Sequence, residues 1–285
     1  KALTLRPLNV TPQIKSITVQ NGPAPSSFTD LRLLGDLNAS ASAVALYKCN
    51  VLGDVNAADA DLKLLQNTNV DGNVVVTKGG LRLMKSTVHG TVTVSHATDD
   101  SNRELEAVIL QSTIRERFVC RAKRSWVCYS NFRDTYFEGK VEITRNYFNG
   151  REHGYGGIGI DLNGTATVAV VRNNSVESFR KHTSADISDE CIGIRITGGA
   201  KADVINNVIR RCLDSQGTGA ETRCGMGVFV QSTSGTKILG NAIWDCYVRD
   251  GDGTGHRLVR APNANVTLQY NVLRLNNSHV HPDLV

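Results

Sequence analysis

An internal repeat limits what this chain can fold into more than any other feature. The stretch "VINNVIRRC", Val204 to Cys212, is followed 34 positions later by "ILGNAIWDC", Ile238 to Cys246, with Asn, a branched apolar residue and Cys at matching places. The flanks repeat as well: "CIGIRITGG" begins 16 positions before Asn207, and "GMGVFVQST" begins 16 before Asn241. Looser copies surround Asn174 ("GIGIDLNG" leading to "VVRNNSV") and Asn271 ("HRLVRAPN" leading to "LQYNVL"). The unit is roughly 30 residues long, the length of one supersecondary repeat. The first half repeats at a shorter period, in "ALYKCNVLGDVNA", "KLLQNTNVDGNVVV", "RLMKSTVHGTVTV" and "VILQSTIRERFVC", with Gly53, Gly72 and Gly90 separated by 19 and 18 positions.

Each unit alternates apolar and polar residues, turns at a Ser, Thr or Asn corner, and alternates again, which is the pattern of half-buried β-strands. The short corners cannot hold crossover helices, and nothing between Leu31 and Val141 reads as a helix. Hairpins would reverse direction at each strand and break the register of the repeat. Coiling keeps it: each repeat becomes one rung, each strand pairs in parallel with its equivalent about 4.8 Å away, and equivalent residues stack. Asn174, Asn207 and Asn241 then share one corner, where Asn tolerates a left-handed backbone and can bond the next amide. The same register stacks Ile158, Ile192 and Met226 inward, together with Ile160, Ile194 and Val228, then Leu162, Ile196 and Val230.

The "G-I-x-I-x…v-x-I-x-x-N-x-I" wording resembles the right-handed parallel β-helix family with the pectin-lyase-like fold, most clearly from Val141 to Leu275. The resemblance implies an all-β, single-domain solenoid over residues 1–285, with short rungs over about 14–140 and longer rungs with loop insertions over about 141–278. Roughly eleven rungs would extend about 50 Å at the parallel-strand spacing. The family implies a secreted or cell-surface protein that binds a polysaccharide, acidic polymers included, and can cleave it as a lyase or hydrolase. The alternative is a non-catalytic structural or adhesive stalk.

Composition narrows the partners. No stretch approaches the roughly 18 apolar residues of a membrane span, and "KALTLRPLNV" lacks a basic-then-apolar leader. The net charge is +5, and the one basic cluster, "RERFVCRAKRSW" from Arg115, reads as a solvated turn or a polyanion contact. No nucleic-acid motif accompanies it, so no nucleic-acid partner is expected. The 7 Cys show no CxxC or zinc spacing. Cys212 and Cys246, each five residues after a repeat Asn, stack either as a disulfide or as a buried reduced pair.

Outward residues carry function on a solenoid, because inward ones are committed to the core. Alternation places Asp161, Arg195 and Phe229 in one outward row, with Arg257 or Arg260 beyond, offering an acid, bases and a flat ring to a sugar chain. The resemblance to lyases, which pair a base with charge neutralisation, makes Arg195, Asp161 and His153 the candidate catalytic residues and Phe229, Arg257 and Arg260 the substrate contacts. Three insertions, "RKHTSADISDE", "LDSQGTGAETR" and "YVRDGDGTGH", leave one corner of successive rungs. Their Asp186, Asp189, Glu190 and Glu221 form a candidate calcium site of oxygen ligands.

Overall fold

The computed structural model describes residues 4–5, 12–22, 24–95, 106–150, 157–181, 191–214, 225–250, 253–262 and 264–274. The chain divides into two compact units, Lys1–Phe132 and Arg133–Val285. The described residues form short β-strands without an α-helix, and hence without any helix long and apolar enough to cross a membrane. Nearly all strand pairings are parallel, each between a strand and its equivalent one repeat later, a pattern consistent with a β-solenoid.

In the first unit each repeat supplies three strands. Val44, Leu62 and Leu81 are successive partners, as are Val51, Val70 and Val88, and Val55, Val74 and Val92. One interior stack runs through Leu46, Leu64, Leu83, Ile109 and Val127, each at most 1% exposed. Between the first and second strands the chain bends at a left-handed residue, such as Lys85 (φ 51°), Gln111 (φ 49°) or Tyr129 (φ 51°). A buried serine follows each of these. Ser86 N–H donates to Ser112 Oγ at 3.2 Å, and Ser112 N–H to Ser130 Oγ at 3.1 Å. The hydroxyls thereby pair backbone donors that the bend removes from the sheet.

At the next corner Gly72 is required for close approach rather than for its dihedrals, since a Cβ there would lie 2.5 Å from Gly53 O. The side chains after these glycines complete the corner: Asp36 Oδ1 accepts from Asp54 N–H at 2.9 Å, and Asp54 Oδ1 from Asn73 N–H at 2.7 Å. The basic segment is a correction to the expected turn. Thr113–Cys128 is one continuous strand, with Arg115, Arg117, Arg121, Lys123 and Arg124 exposed while Ile114, Phe118, Cys120 and Ala122 are buried.

In the second unit Asn follows the left-handed residue at one bend of each repeat, as serine does at Ser86, Ser112 and Ser130 in the first. Asn146, Asn174, Asn207, Asn241 and Asn271 form a continuous ladder, each Oδ1 accepting the backbone N–H of the preceding Asn at 2.8–2.9 Å and its side-chain amide at 3.0–3.1 Å. The left-handed conformation falls on the residue before each Asn: Arg145, Asn173, Asn206, Gly240 and Tyr270. The expectation that the ladder Asn itself bends the chain is thus corrected. Its role is to pair the corner's donors, and the residue ahead of it turns.

Candidate functional site

The expected row exists in register. Asp161, Arg195, Phe229 and Arg260 are successive Cα partners on parallel strands. Arg257 instead stands opposite Met226, and its side chain lies outside the described residues. Half of the row is closed to solvent: Asp161 is 1% exposed and Phe229 4%, while Arg195 and Arg260 are half-buried. Arg195 donates Nε to Asp161 Oδ1 at 2.9 Å and Nη2 to Oδ2 at 2.6 Å, a two-pronged pair that occupies both carboxylate oxygens.

The burial has a local cause. Strict alternation puts Met226 and Phe229 on opposite faces, yet they belong to one cluster with Ile158 and Ile192. The parallel ladder passes over Gly159, Gly193 and Gly227, and a Cβ at Gly193 would fall 2.7 Å from Ile209 Cγ2 and 3.3 Å from Cys212 Sγ. Those glycines face the interior, and the alternation slips by one residue there. Ile158, Ile192 and Met226 therefore stack as expected but share a second buried layer with Phe229, apart from the interior of Ile160, Ile194 and Val228.

His153 and the acidic set Asp186, Asp189, Glu190 and Glu221 lie outside the described residues. Among the described residues no group of three or more His, Cys, Asp or Glu is placed to hold a metal ion. Cys212 and Cys246 are both buried free thiols, not a disulfide. The Cys212 thiol is pushed well up by its hydrogen bond with Cys246 and by burial, which keeps it protonated and unreactive.

A different row carries more chemistry at the surface. Three residues after each ladder Asn stand Asn149, Glu177, Arg210, Trp244 and Arg274, successive partners on five parallel strands. Tyr147 donates its hydroxyl to Glu177 Oε1 and receives Asn149 Nδ2 at 3.1 Å. Arg210 Nε bonds Glu177 Oε2, and its guanidinium carbon lies 5.9 Å from the centre of the Trp244 ring. Burial pushes the Glu177 carboxyl up, but the Tyr147 hydroxyl and the Arg210 guanidinium outweigh it and hold it below its ordinary value. The result is an anion, a cation and a ring in one line, with the Tyr147 ring beside it, two residues before Asn149; Tyr147 is 36% exposed, Arg210 and Trp244 are half-buried, and Glu177 is 8% exposed. From Tyr147 to Trp244 the row crosses three strand steps, about 14 Å at 4.8 Å each. The signal was available in the sequence, since "NSVE", "NVIR", "NAIW" and "NVLR" place these residues at one offset from the repeat Asn.

Compared with the known protein families, the curated proteins and the solved structures, the chain matches none.

Proposed function

We propose that this chain is a right-handed parallel β-helix of the pectin-lyase-like kind, of roughly eleven rungs at the parallel-strand spacing, working outside the cytoplasm as a polysaccharide-binding protein. The observation that carries the reading is the Glu177–Arg210–Trp244 row with the Tyr147 ring bonded to it. The Tyr147 and Trp244 rings meet a sugar's apolar faces and the Arg210 guanidinium its hydroxyls, while the buried Glu177 carboxylate holds Tyr147 and Arg210 in place. Right-handedness rests on the strong preference of parallel strand connections for that hand. Export rests on the family resemblance alone, because Cys212 and Cys246 supply no disulfide.

Binding is favoured over cleavage because the two carboxylates of the described rows already have partners. Asp161 has both oxygens bonded to Arg195, and Glu177 is held ionised and so is not poised to deliver a proton. The rival reading, a rigid stalk, is favoured by the continuous asparagine ladder, which stiffens the second unit without needing a ligand. The two readings separate on an array of neutral and uronic polysaccharides, probed with the full chain and with Tyr147→Ala and Trp244→Ala. Loss of one stacking ring should weaken binding by roughly five- to tenfold, corresponding to about 1–1.4 kcal/mol. Binding to no polymer, or binding indifferent to both rings, supports the stalk.

A further inference from the structure

Among the described residues, the second unit ends on a rung whose interior positions are open. One interior column runs Val204, Ile238, Leu268, and another Ile209, Ile243, Leu273, successive Cα partners on parallel strands. The first two members of each are fully buried, whereas Leu268 is 37% and Leu273 38% exposed. The asparagine ladder stops at the same edge. Asn241 gives its backbone N–H and its amide to Asn271 Oδ1, at 2.8 and 3.0 Å, and the Asn271 amide turns back to Ile238 O at 2.7 Å. Among the described residues no oxygen is placed to accept the Asn271 N–H or its second amide hydrogen.

These unmet groups specify what fits. Within the unit they are met by a parallel strand that carries one apolar residue three positions before an Asn and another two after it, as Ile238 and Ile243 flank Asn241. The Asn Oδ1 takes both donors of the preceding corner, and the two apolar side chains close the columns. The first unit keeps this spacing with a hydroxyl as acceptor, Ile109 and Ile114 flanking Ser112. A strand added to an exposed edge gains affinity from main-chain hydrogen bonds and specificity from alternate side chains. A second copy stacked end to end does not supply the acceptor. Among the described residues the first unit's corner begins at Pro12, whose carbonyl takes the Arg32 N–H at 3.0 Å and whose side chain has no oxygen to offer Asn271.

We propose that the edge formed by Val266–Gln269 and Val272–Arg274 is a docking surface for an extended segment of a partner protein, added in parallel, with an Asn flanked by apolar residues three before and two after it. The inference is independent of glycan binding. The probe is the nonapeptide TKILGNAIW, the sequence of Thr236–Trp244, labelled at its N-terminus with a fluorophore and titrated with the full chain by anisotropy. The expected result is saturable binding. It should be roughly fivefold or more weaker for the peptide carrying Asn241→Leu, for the peptide carrying Ile243→Asp, and for the unmodified peptide on a chain carrying Leu273→Glu. A chain carrying Trp126→Ala, which removes an exposed ring of the other unit, should bind the peptide unchanged. The peptide variants test the proposal without altering the folded chain, and retained melting cooperativity validates Leu273→Glu. The proposal is overturned by absence of binding, by indifference to Asn241→Leu or Leu273→Glu, or by loss of binding in Trp126→Ala. Self-association of the chain in sedimentation that Leu273→Glu abolishes would also overturn it, assigning the edge to a second copy.

Discussion

Asn241 Oδ1 accepts two hydrogen bonds from Asn207, one from its backbone N–H at 2.8 Å and one from its side-chain amide at 3.0 Å. Asn207 Nδ2 also donates to Val171 O, one rung back, at 2.9 Å. Each amide therefore joins three rungs. Asn207 is 1% exposed, so Asn207→Leu strips partners from buried groups that water cannot reach. The expected loss is about 1–3 kcal/mol for each group left unsatisfied, read as a lower denaturation midpoint with an unchanged slope in urea.

The Asp161–Arg195 pair predicts an asymmetry. Removing the cation with Arg195→Met leaves a nearly inaccessible carboxylate with one partner gone, whereas Asp161→Asn combined with Arg195→Met removes both charges. Breaking one side of a buried pair costs about 3–5 kcal/mol, and replacing the pair by neutral groups often costs much less. Equal denaturation midpoints for the single and double variants would show that the pair's burial has no energetic consequence.

The Glu177 network makes stability pH-dependent in a defined direction. The folded chain lowers this carboxyl's pKa, so the unfolded chain binds its proton more tightly. The contribution is complete above the ordinary value of 4.5 and is lost as the pH falls through the lower folded-state value. Glu177→Gln should therefore flatten the decline in stability as the pH falls from 4.5 to the lower folded-state value, while lowering stability at neutral pH. Stability curves of identical shape for the two proteins would remove the ionised Glu177 from the account.

Much of this was legible in the sequence, and what was hidden had physical reasons. The ladder could be read because one residue type, Asn, recurs where one bonding task recurs. The bend itself could not, because its occupants are as different as Arg145, Asn206 and Tyr270. The neighbouring hydrogen bonds hold the left-handed conformation at this position whatever the side chain. The register of Asp161, Arg195 and Phe229 was legible and their exposure was not, since alternation tells which residues share a face but not what shields it. The slip at Gly227 further changed which apolar residues Phe229 joins. The Glu177–Arg210–Trp244 row was recoverable from its constant offset of three from the repeat Asn, but it mixes an acid, a base and a ring, so similarity between repeats does not mark it, and Tyr147, one residue after Asn146, lies off that offset.

The thiols give a chemical prediction. Cys49, Cys120 and Cys212 are buried, and burial pushes Cys120 up to about 11, while the hydrogen bond with Cys246 together with burial raises Cys212. Alkylation at neutral pH should leave all three unmodified in the folded protein. After unfolding without reductant, Cys212 and Cys246 should both be labelled, as mass spectrometry of peptides would report. A linked Cys212–Cys246 peptide would reverse this and restore the residue-level argument for an oxidising compartment.

The functional reading is tested most sharply by comparing two aromatic rings in the second unit. Phe229 is 4% exposed within the Ile158–Ile192–Met226 cluster, so Phe229→Ala should cost about 3–5 kcal/mol of stability as a large core truncation. Any effect on glycan binding would follow from that loss. Trp244 is half-buried against Arg210, so Trp244→Ala should lower the denaturation midpoint much less than Phe229→Ala does and weaken polysaccharide binding in a way that persists at high salt. Persistence matters because screening weakens attraction between exposed charges and leaves a stacking contact in place. If instead Trp244→Ala binds like the unmodified chain at every salt concentration, the aromatic row is an ordinary polar surface and the stalk reading takes its place.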